Sequence, residues 1–267
     1  MNAKLLSGMV ALAVMSGVSN AAVFTDKFDD GVLNPIWTAE QSQGTFAEIT
    51  NVGDGQADFS GVPTEGYAHL QTAPDQFTRV DGIMRTNNFG TGRWGMGTSI
   101  YFDANNWVSL KIGTAGGQYG WVREMVVNGV HSTLTGNTVN TDLRYSWLIL
   151  GVELTATEVR FYGSDITDPE DDHLGQTNID ANVSVIPEFT IVLPATFTGL
   201  SRAIIGKGFT RLPDAPNPDF NNVGGDLSSP TDNYIDLVRL TTVPEPAGLG
   251  LLAISGVAAL PRRRGRQ

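Results

Sequence analysis

The sequence predicts an all-β protein, an antiparallel β-sandwich set between two terminal signals. About a dozen short runs of β-prone residues are separated by turn residues, and none keeps a 3.6-residue period over a helix length. The 31 glycines and 13 prolines supply frequent turns. The chain has no cysteine. A domain of this length can bury enough apolar surface to fold without disulfides.

The N-terminus has the three parts of a secretory signal peptide. Lys4 gives a positive start, residues 5–18 form an apolar stretch, and Ser19-Asn20-Ala21 is a small-residue cleavage site. We therefore expect residues 1–21 to be removed and the mature chain to begin near Ala22.

The C-terminus, residues 243–267, also has three parts. Pro244-Glu245-Pro246 comes first. Its prolines favour extended backbone that a processing enzyme could hold. An apolar run over residues 247–260 follows. Basic residues then close the chain: Arg262, Arg263, Arg264 and Arg266.

This order of parts resembles the PEP-CTERM sorting signal of Gram-negative bacteria that export extracellular polysaccharide. The resemblance implies transient insertion of the tail into the inner membrane and cleavage by an exosortase-type membrane protease, with the arginines on the cytoplasmic side. By length alone the apolar run is also compatible with a buried core helix or a retained anchor. It would make a helix of about 21 Å, whereas a hydrocarbon core is about 30 Å thick.

The charge of the chain limits its partners. The net charge is −11, and leaving out Lys4, Glu245 and the four tail arginines leaves 12 basic against 27 acidic residues. The domain at residues 22–242 is thus close to −15, which disfavours nucleic acid and anionic membranes as partners.

The first half of the domain predicts successive strands. Phe24 and Phe28 alternate in an opening strand that an Asp-Asp-Gly turn at residues 29–31 closes. Residues 33–37 predict an ordered loop anchored by Trp37. Further strand-length runs lie at residues 46–52, 67–70, 77–85, 96–102 and 107–112. Gly-x-Gly-x-x-Gly at residues 90–95 precedes a predicted strand and not a helix, so we interpret it as a turn and not as a dinucleotide site.

The second half contains two predicted hairpins. Asn128-Gly129 joins residues 119–127 to residues 130–134, and this dipeptide suits the two positive φ angles of a tight turn. The second hairpin turns at residues 155–157. Later strands are predicted at residues 189–193, 202–210 and 234–241, with a long Pro- and Asn-rich loop over residues 211–233.

Four patterns resemble concanavalin A-like jelly rolls, the lectin, laminin-G and glucanase superfamily. They lie at residues 24–31, at Trp147 with residues 158–163, at residues 203–208 and at residues 234–240. The resemblance implies that the first and last strands lie side by side. A galactose-binding-like jelly roll is the alternative fold.

Catalytic motifs are largely missing from the sequence. Glucanases of this superfamily carry Glu-x-Asp-x-x-Glu on one strand, and this chain has no such triplet. Glu153 and Glu158 are interpreted as a surface pair on a hairpin. Gly-x-Ser-x-Gly and His-Glu-x-x-His are absent, and His69, His131 and His173 are the only histidines. The sequence therefore predicts that the protein is not an enzyme.

Calcium is the metal that the acidic residues suggest. Asp29 or Asp30, after the first strand, could join Asp236 in the last strand, since related jelly rolls carry a structural calcium near their chain ends. An aspartate in the last strand can equally accept a backbone hydrogen bond. A second acidic group lacks the spacing of a calcium loop and is interpreted as a solvated loop: Asp165, Asp168, Glu170, Asp171 and Asp172.

Trp107, Tyr119 and Trp121 are the candidates for stacking against sugar rings, although most aromatic residues of a sandwich belong to its core. We thus expect an exported, exosortase-processed, non-catalytic surface or matrix protein that binds glycan, with extracellular polysaccharide as partner. The alternatives are a purely structural surface or biofilm component and, more distantly, a degenerate glucanase-like hydrolase.

Overall fold

The structure, a computed structural model, describes residues 21–41, 50–52, 56–58, 68–86, 94–115, 118–135, 147–166, 184–207 and 233–243. Ala22–Val243 form one compact unit. None of the described residues belongs to a helix with the length and apolarity needed to cross a membrane.

The described chain is built of strands. They are β1 (Ala22–Asp26), β2 (Trp37–Gln41), β3 (Thr50–Val52), β4 (Gln56–Asp58), β5 (Ala68–Thr72), β6 (Phe77–Thr86), β7 (Trp94–Asp103), β8 (Asn106–Ala115), β9 (Gln118–Val127), β10 (Val130–Thr135), β11 (Trp147–Leu154), β12 (Glu158–Ile166), β13 (Ile191–Val192), β14 (Arg202–Lys207) and β15 (Asn233–Thr242). A 3-10 turn, Pro187–Phe189, precedes β13.

The strands form two antiparallel sheets. Sheet A has the order β13-β12-β11-β6-β15-β4-β3, with β1 also paired to β15. Sheet B has the order β10-β9-β8-β7-β14-β5-β2. The predicted all-β antiparallel sandwich is confirmed. The predicted pairing of the first and last strands is confirmed as well, since Ala22 lies opposite Thr242 and Asp26 opposite Val238.

Both predicted hairpins are present. Asn128 and Gly129 have φ angles of 52° and 76°, so this turn uses the left-handed conformation that its two residues tolerate. In the second hairpin β11 pairs with β12, and the Thr155 hydroxyl accepts hydrogen bonds from the backbone N–H groups of Thr157 and Glu158.

The main core lies between the two sheets. It contains Phe161 and Phe189 from the sheet A side, which meet edge to face, and Ile100, Val108 and Leu110 from sheet B. The sheets approach each other closely, because a Cβ at Gly82 of β6 would lie 2.4 Å from Ile205 Cδ1 of β14.

Two local predictions differ from the structure. Residues 33–37 were expected to be a loop, but Trp37 begins β2, and its indole Nε1 donates a 2.8 Å hydrogen bond to Asp26 Oδ2. Residues 189–193 were expected to be one strand. Pro187 starts a 3-10 turn instead, since its fixed φ suits a first turn, and only Ile191–Val192 remain as strand.

Several predictions fall outside the described residues. They are the signal helix, the tail with Pro244, Glu245, Pro246 and Arg262 to Arg264, His173, residues 168–172 and nearly all of the loop at 211–233. The glycine-rich segment at residues 90–93 also lies outside, but Trp94 begins a strand as expected.

Candidate functional site

The outer face of sheet B, the face turned away from the core, carries an unusual number of polar residues. Val108, Leu110 and Ile112 of β8 belong to the core, so the alternate residues Trp107, Ser109 and Lys111 point to the outer face. The register of the neighbouring strands arranges the outer residues in rows. The row through Trp107 contains His131, Val126, Trp107, Tyr101 and Arg202.

Glu124 of β9 is the centre of a charged cluster on this face. Its carboxylate forms an ion pair with Lys111 Nζ, and its Oε1 lies 2.8 Å from His131 Nε2. Lys111 and Glu124 are almost fully buried, with side-chain exposures of 2% and 4%, whereas that of His131 is 18%. The cluster therefore reaches solvent through His131.

Trp107 lies beside this cluster. Its ring centroid is 6.3 Å from that of His131, and the Lys111 ammonium is 6.0 Å from the indole centroid. The indole packs with Tyr101, Val126 and Ile204 in a small apolar group on the outer face. Its Nε1 is buried, and no described residue accepts a hydrogen bond from it. A buried donor without an acceptor is costly and calls for a ligand or a water.

Burial changes the acidity of two groups on this face. It lowers the pKa of the Lys111 ammonium, and the Glu124 carboxylate opposes that shift through its charge and its hydrogen bond. Burial also lowers the pKa of His69 on β5 to about 3. His69 is therefore neutral near pH 7.

The three aromatic residues proposed for sugar stacking are not brought together. Trp121 points into the core, where its ring covers Gly163 of sheet A closely enough that a Cβ there would lie 2.8 Å from Trp121 Cε2. Trp107 lies on the opposite face of the sheet. The backbone of Tyr119 pairs with Thr114 in β9 and β8, and its side chain is outside the described part.

The acidic residues proposed for calcium lie after β1 and in β15. Asp29 and Asp30 are exposed after β1, and the Asp30 carboxylate accepts a hydrogen bond from the Val32 N–H. Asp236 lies in β15, two residues beyond the end of the β1 pairing. Within the described ranges no three or more His, Cys, Asp or Glu side chains come together as metal ligands.

A second charged network lies on the outer face of sheet A. Asp81 is fully buried and accepts hydrogen bonds from Arg79 and from Arg239, with N···O distances of 2.8–3.0 Å. Burial raises the pKa of Asp81, and the two arginines oppose the rise. The network is a structural ion cluster, since both arginines are occupied by one carboxylate.

Glu153 and Glu158 have separate partners at this edge of sheet A. Glu153 accepts a hydrogen bond from the Tyr162 hydroxyl, while Glu158 forms an exposed ion pair with Arg160 at 3.0 Å. The two carboxylates therefore serve different contacts on the hairpin.

The fold can be compared with solved structures. The laminarinase catalytic domain from Thermotoga maritima MSB8, in complex with cetyltrimethylammonium bromide, is 15% identical with a TM-score of 0.51. The match covers 85% of this chain and 100% of that domain. The fold is a glucanase-type jelly roll. No protein-family model and no curated protein matches the sequence.

Two more structures have lower TM-scores. The endo-1,3-beta-glucanase (laminarinase) catalytic domain from Thermotoga petrophila RKU-1 is 15% identical, with a TM-score of 0.46 and coverage of 85% and 100% of the two chains. The xylan beta-1,4-xylosidase from Bacillus halodurans C-125 is 13% identical, with a TM-score of 0.46. That match covers 81% of this chain and only 38% of the xylosidase.

The comparison corrects one prediction. The sequence was interpreted as that of a non-enzyme because glucanase motifs are absent. The laminarinase structure with the TM-score of 0.51 is a catalytic domain, so a jelly roll of this type can carry an enzyme. The lack of one motif does not exclude catalysis, because the same chemistry recurs with different residues on one fold.

Sequence reasoning missed the residues that form the cluster. Glu124 and Lys111 are 13 positions apart and meet only through the β8–β9 register. Alternation could have placed Glu124 and Val126 on one face of β9. No local pattern showed that Lys111 would lie on that face too.

Proposed function

We propose that this protein is an exported polysaccharide-binding protein, and that the outer face of sheet B holds the sugar. The observation that carries the proposal is Trp107 Nε1, a buried donor without a described acceptor, next to the Glu124 cluster. Sugars present C–H faces to aromatic rings and hydroxyl groups to charged and polar atoms.

The row through Trp107 suits an extended ligand. His131 is at one end and Arg202 at the other, four strand spacings apart, which is about 19 Å at about 4.8 Å per strand. Trp107 is 4% exposed, while His131 and Arg202 are only partly buried. We therefore place the first sugar contacts at the two ends. Trp107 Nε1, which is buried, donates to a sugar hydroxyl between them only after the side chains that cover it move aside.

Cleavage of the bound glycan is a second candidate, and Glu124 favours it. Glycoside hydrolysis needs a carboxyl group that donates a proton to the glycosidic oxygen and a second carboxylate across the sugar, and Glu124, which His131 contacts at 2.8 Å, could supply one of the two. Val122 and Val126 stand two residues to either side of Glu124 on the same face. A second carboxylate would have to come from another strand or from residues outside the described ranges.

The terminal signals support export as part of the proposal. The Pro244-Glu245-Pro246 box, the apolar run and the arginines suit an exosortase-type protease as processing partner. Mass spectrometry of the protein from its host should show that residues 1–21 and the tail are missing. A C-terminus at Gln267 on most molecules would contradict processing.

A glycan array with the purified protein tests binding, and release of reducing ends from each bound glycan tests cleavage. Binding without new reducing ends supports the first candidate, and Glu124-dependent release supports the second. If no glycan is bound, the proposal fails and the purely structural alternative remains.

A further inference from the structure

A cleft at one end of sheet B continues the row through Trp107. Its volume is about 550 Å³, within the range of small-ligand sites, and Tyr101, Asp103, Leu200 and Arg202 contribute to its lining. Tyr101 lies directly between Arg202 and Trp107 in the register. The cleft is therefore the open end of the face proposed to hold sugar.

Arg202 is the cationic residue that lines this cleft, and no described side chain neutralises it. Its Nη1 donates a 3.2 Å hydrogen bond to Gln71 Oε1, the one hydrogen bond that the described chain gives this guanidinium. No described carboxylate lies within ion-pair distance of it, although the chain as a whole is strongly acidic. By contrast, Arg79 and Arg239 are both paired with Asp81.

The acidic residue of the cleft, Asp103, is engaged by the turn between β7 and β8. Asp103 accepts hydrogen bonds from the Asn105 N–H at 2.7 Å and from Asn106 Nδ2 at 3.0 Å, which hold the β7–β8 turn. On the other side of the cleft, Asp75 and Ser201 form a β-bridge in which their backbone groups exchange hydrogen bonds of 2.8 and 2.7 Å. Arg202 thus stands on a rigid base beside the cleft.

We infer that Arg202 binds an anionic group of the glycan, a uronate carboxylate or a sulfate ester. A guanidinium is a planar fork of donors that matches both groups, and a partly buried one to which the described chain gives no counter-ion favours an anion. The net negative charge of the domain repels dense polyanions. The ligand class is accordingly a mainly neutral glycan with spaced acidic groups. This inference rests on the proposed function.

Matched polysaccharide pairs test the inference. Xanthan carries spaced carboxylates on a β-1,4-glucan, and hydroxyethyl cellulose is its neutral counterpart. A dextran sulfate of low charge density and dextran form the second pair, which distinguishes sulfate from carboxylate. Binding is measured by affinity electrophoresis at about 0.1 M salt, where the Debye length of about 10 Å screens the distant acidic residues.

Arg202→Gln should weaken binding to the acidic member of a pair about tenfold or more, since hydrogen bonds to charged groups are the strong ones. Arg160→Gln is the control, because it removes one positive charge from an exposed position on sheet A and should leave binding unchanged. Arg202→Lys keeps the positive charge but lacks the planar guanidinium, so it should retain part of the affinity. This variant replaces Arg202→Gln in the test if the glutamine variant fails to fold.

The following outcomes would overturn the inference. The role of Arg202 is refuted if the protein binds the acidic and neutral members of a pair equally, or if Arg202→Gln binds the acidic member as tightly as the parent protein does. Polysaccharide binding itself is not refuted by either result. No binding to any of the four, together with a silent glycan array, refutes both.

Discussion

The Lys111 ammonium and the Glu124 carboxylate form a buried ion pair across β8 and β9, on the face of sheet B opposite the core. An ammonium and a carboxylate that leave water lose hydration that only close pairing and further hydrogen bonds offset. Glu124 has His131 as a second partner at 2.8 Å. This arrangement places charged and hydrogen-bonding groups beside the Trp107 indole. They lie on the face of sheet B that does not contribute to the core between the sheets.

Glu124→Gln should destabilise the protein by about 3–5 kcal/mol, because it removes the carboxylate charge with which the buried Lys111 ammonium forms its ion pair. The double change Lys111→Met with Glu124→Leu removes both charges and should recover most of that loss. Urea unfolding of the three proteins measures this. Equal losses in the single and double variants would show that the pair is not coupled.

His69 makes stability depend on pH. Its folded pKa is about 3, below the ordinary value of 6.5, so between these values the unfolded state binds a proton that the folded state does not. The stability that depends on neutral His69 is fully present above pH 6.5 and is lost as the pH falls toward 3, by on the order of 5 kcal/mol in all. In His69→Gln, urea unfolding between pH 7.5 and 4.5 should show a shallower loss of stability. Parallel curves would refute the shift.

Asp81 should be essential to sheet A. Asp81→Asn removes the charge that both Arg79 and Arg239 contact, and we expect a loss of about 3–5 kcal/mol in the free energy of unfolding. Glu158→Gln is the control, since its ion pair with Arg160 is exposed and should make no measurable difference. Comparable losses in the two variants would contradict the assignment.

Calcium remains a prediction from Asp29, Asp30 and Asp236. If these residues bind it, chelation should lower the melting temperature, because an ion that binds only the folded state stabilises that state by mass action. The variant Asp236→Asn should melt at the same temperature with calcium as with chelator. Identical melting curves of the parent protein in both conditions would remove the idea.

The fold was predictable from local signals. Asn128-Gly129 dictates a tight turn because both residues tolerate positive φ. The runs predicted at residues 96–102, 107–112 and 234–241 lie within the longer strands β7, β8 and β15. β2 was missed since Trp37–Gln41 carries one large apolar residue followed by small and polar ones. β2 forms because it pairs with β5, which lies about 30 residues further along the chain, and no local pattern encodes that pairing.

The candidate site was only partly predictable. Trp107 was singled out, but so was Trp121, and alternation cannot tell which face of a strand is the core when both faces carry apolar residues. On β9 the inner face has Trp121 and Met125, while the outer face has Val122 and Val126. The tertiary packing of the two sheets decides the matter, and it is invisible in one strand.

The paired variants Trp107→Phe and Trp121→Phe test polysaccharide binding on the outer face of sheet B most directly. Both replace a nearly buried indole in the same sheet, on opposite faces, so both should lower stability by about 1–2 kcal/mol through lost packing. Affinity electrophoresis in a polysaccharide that the parent protein binds should show about fivefold weaker binding for Trp107→Phe, which lacks the Nε1 donor, and unchanged binding for Trp121→Phe. Unchanged binding by Trp107→Phe, or an equal loss in both variants, would contradict the account.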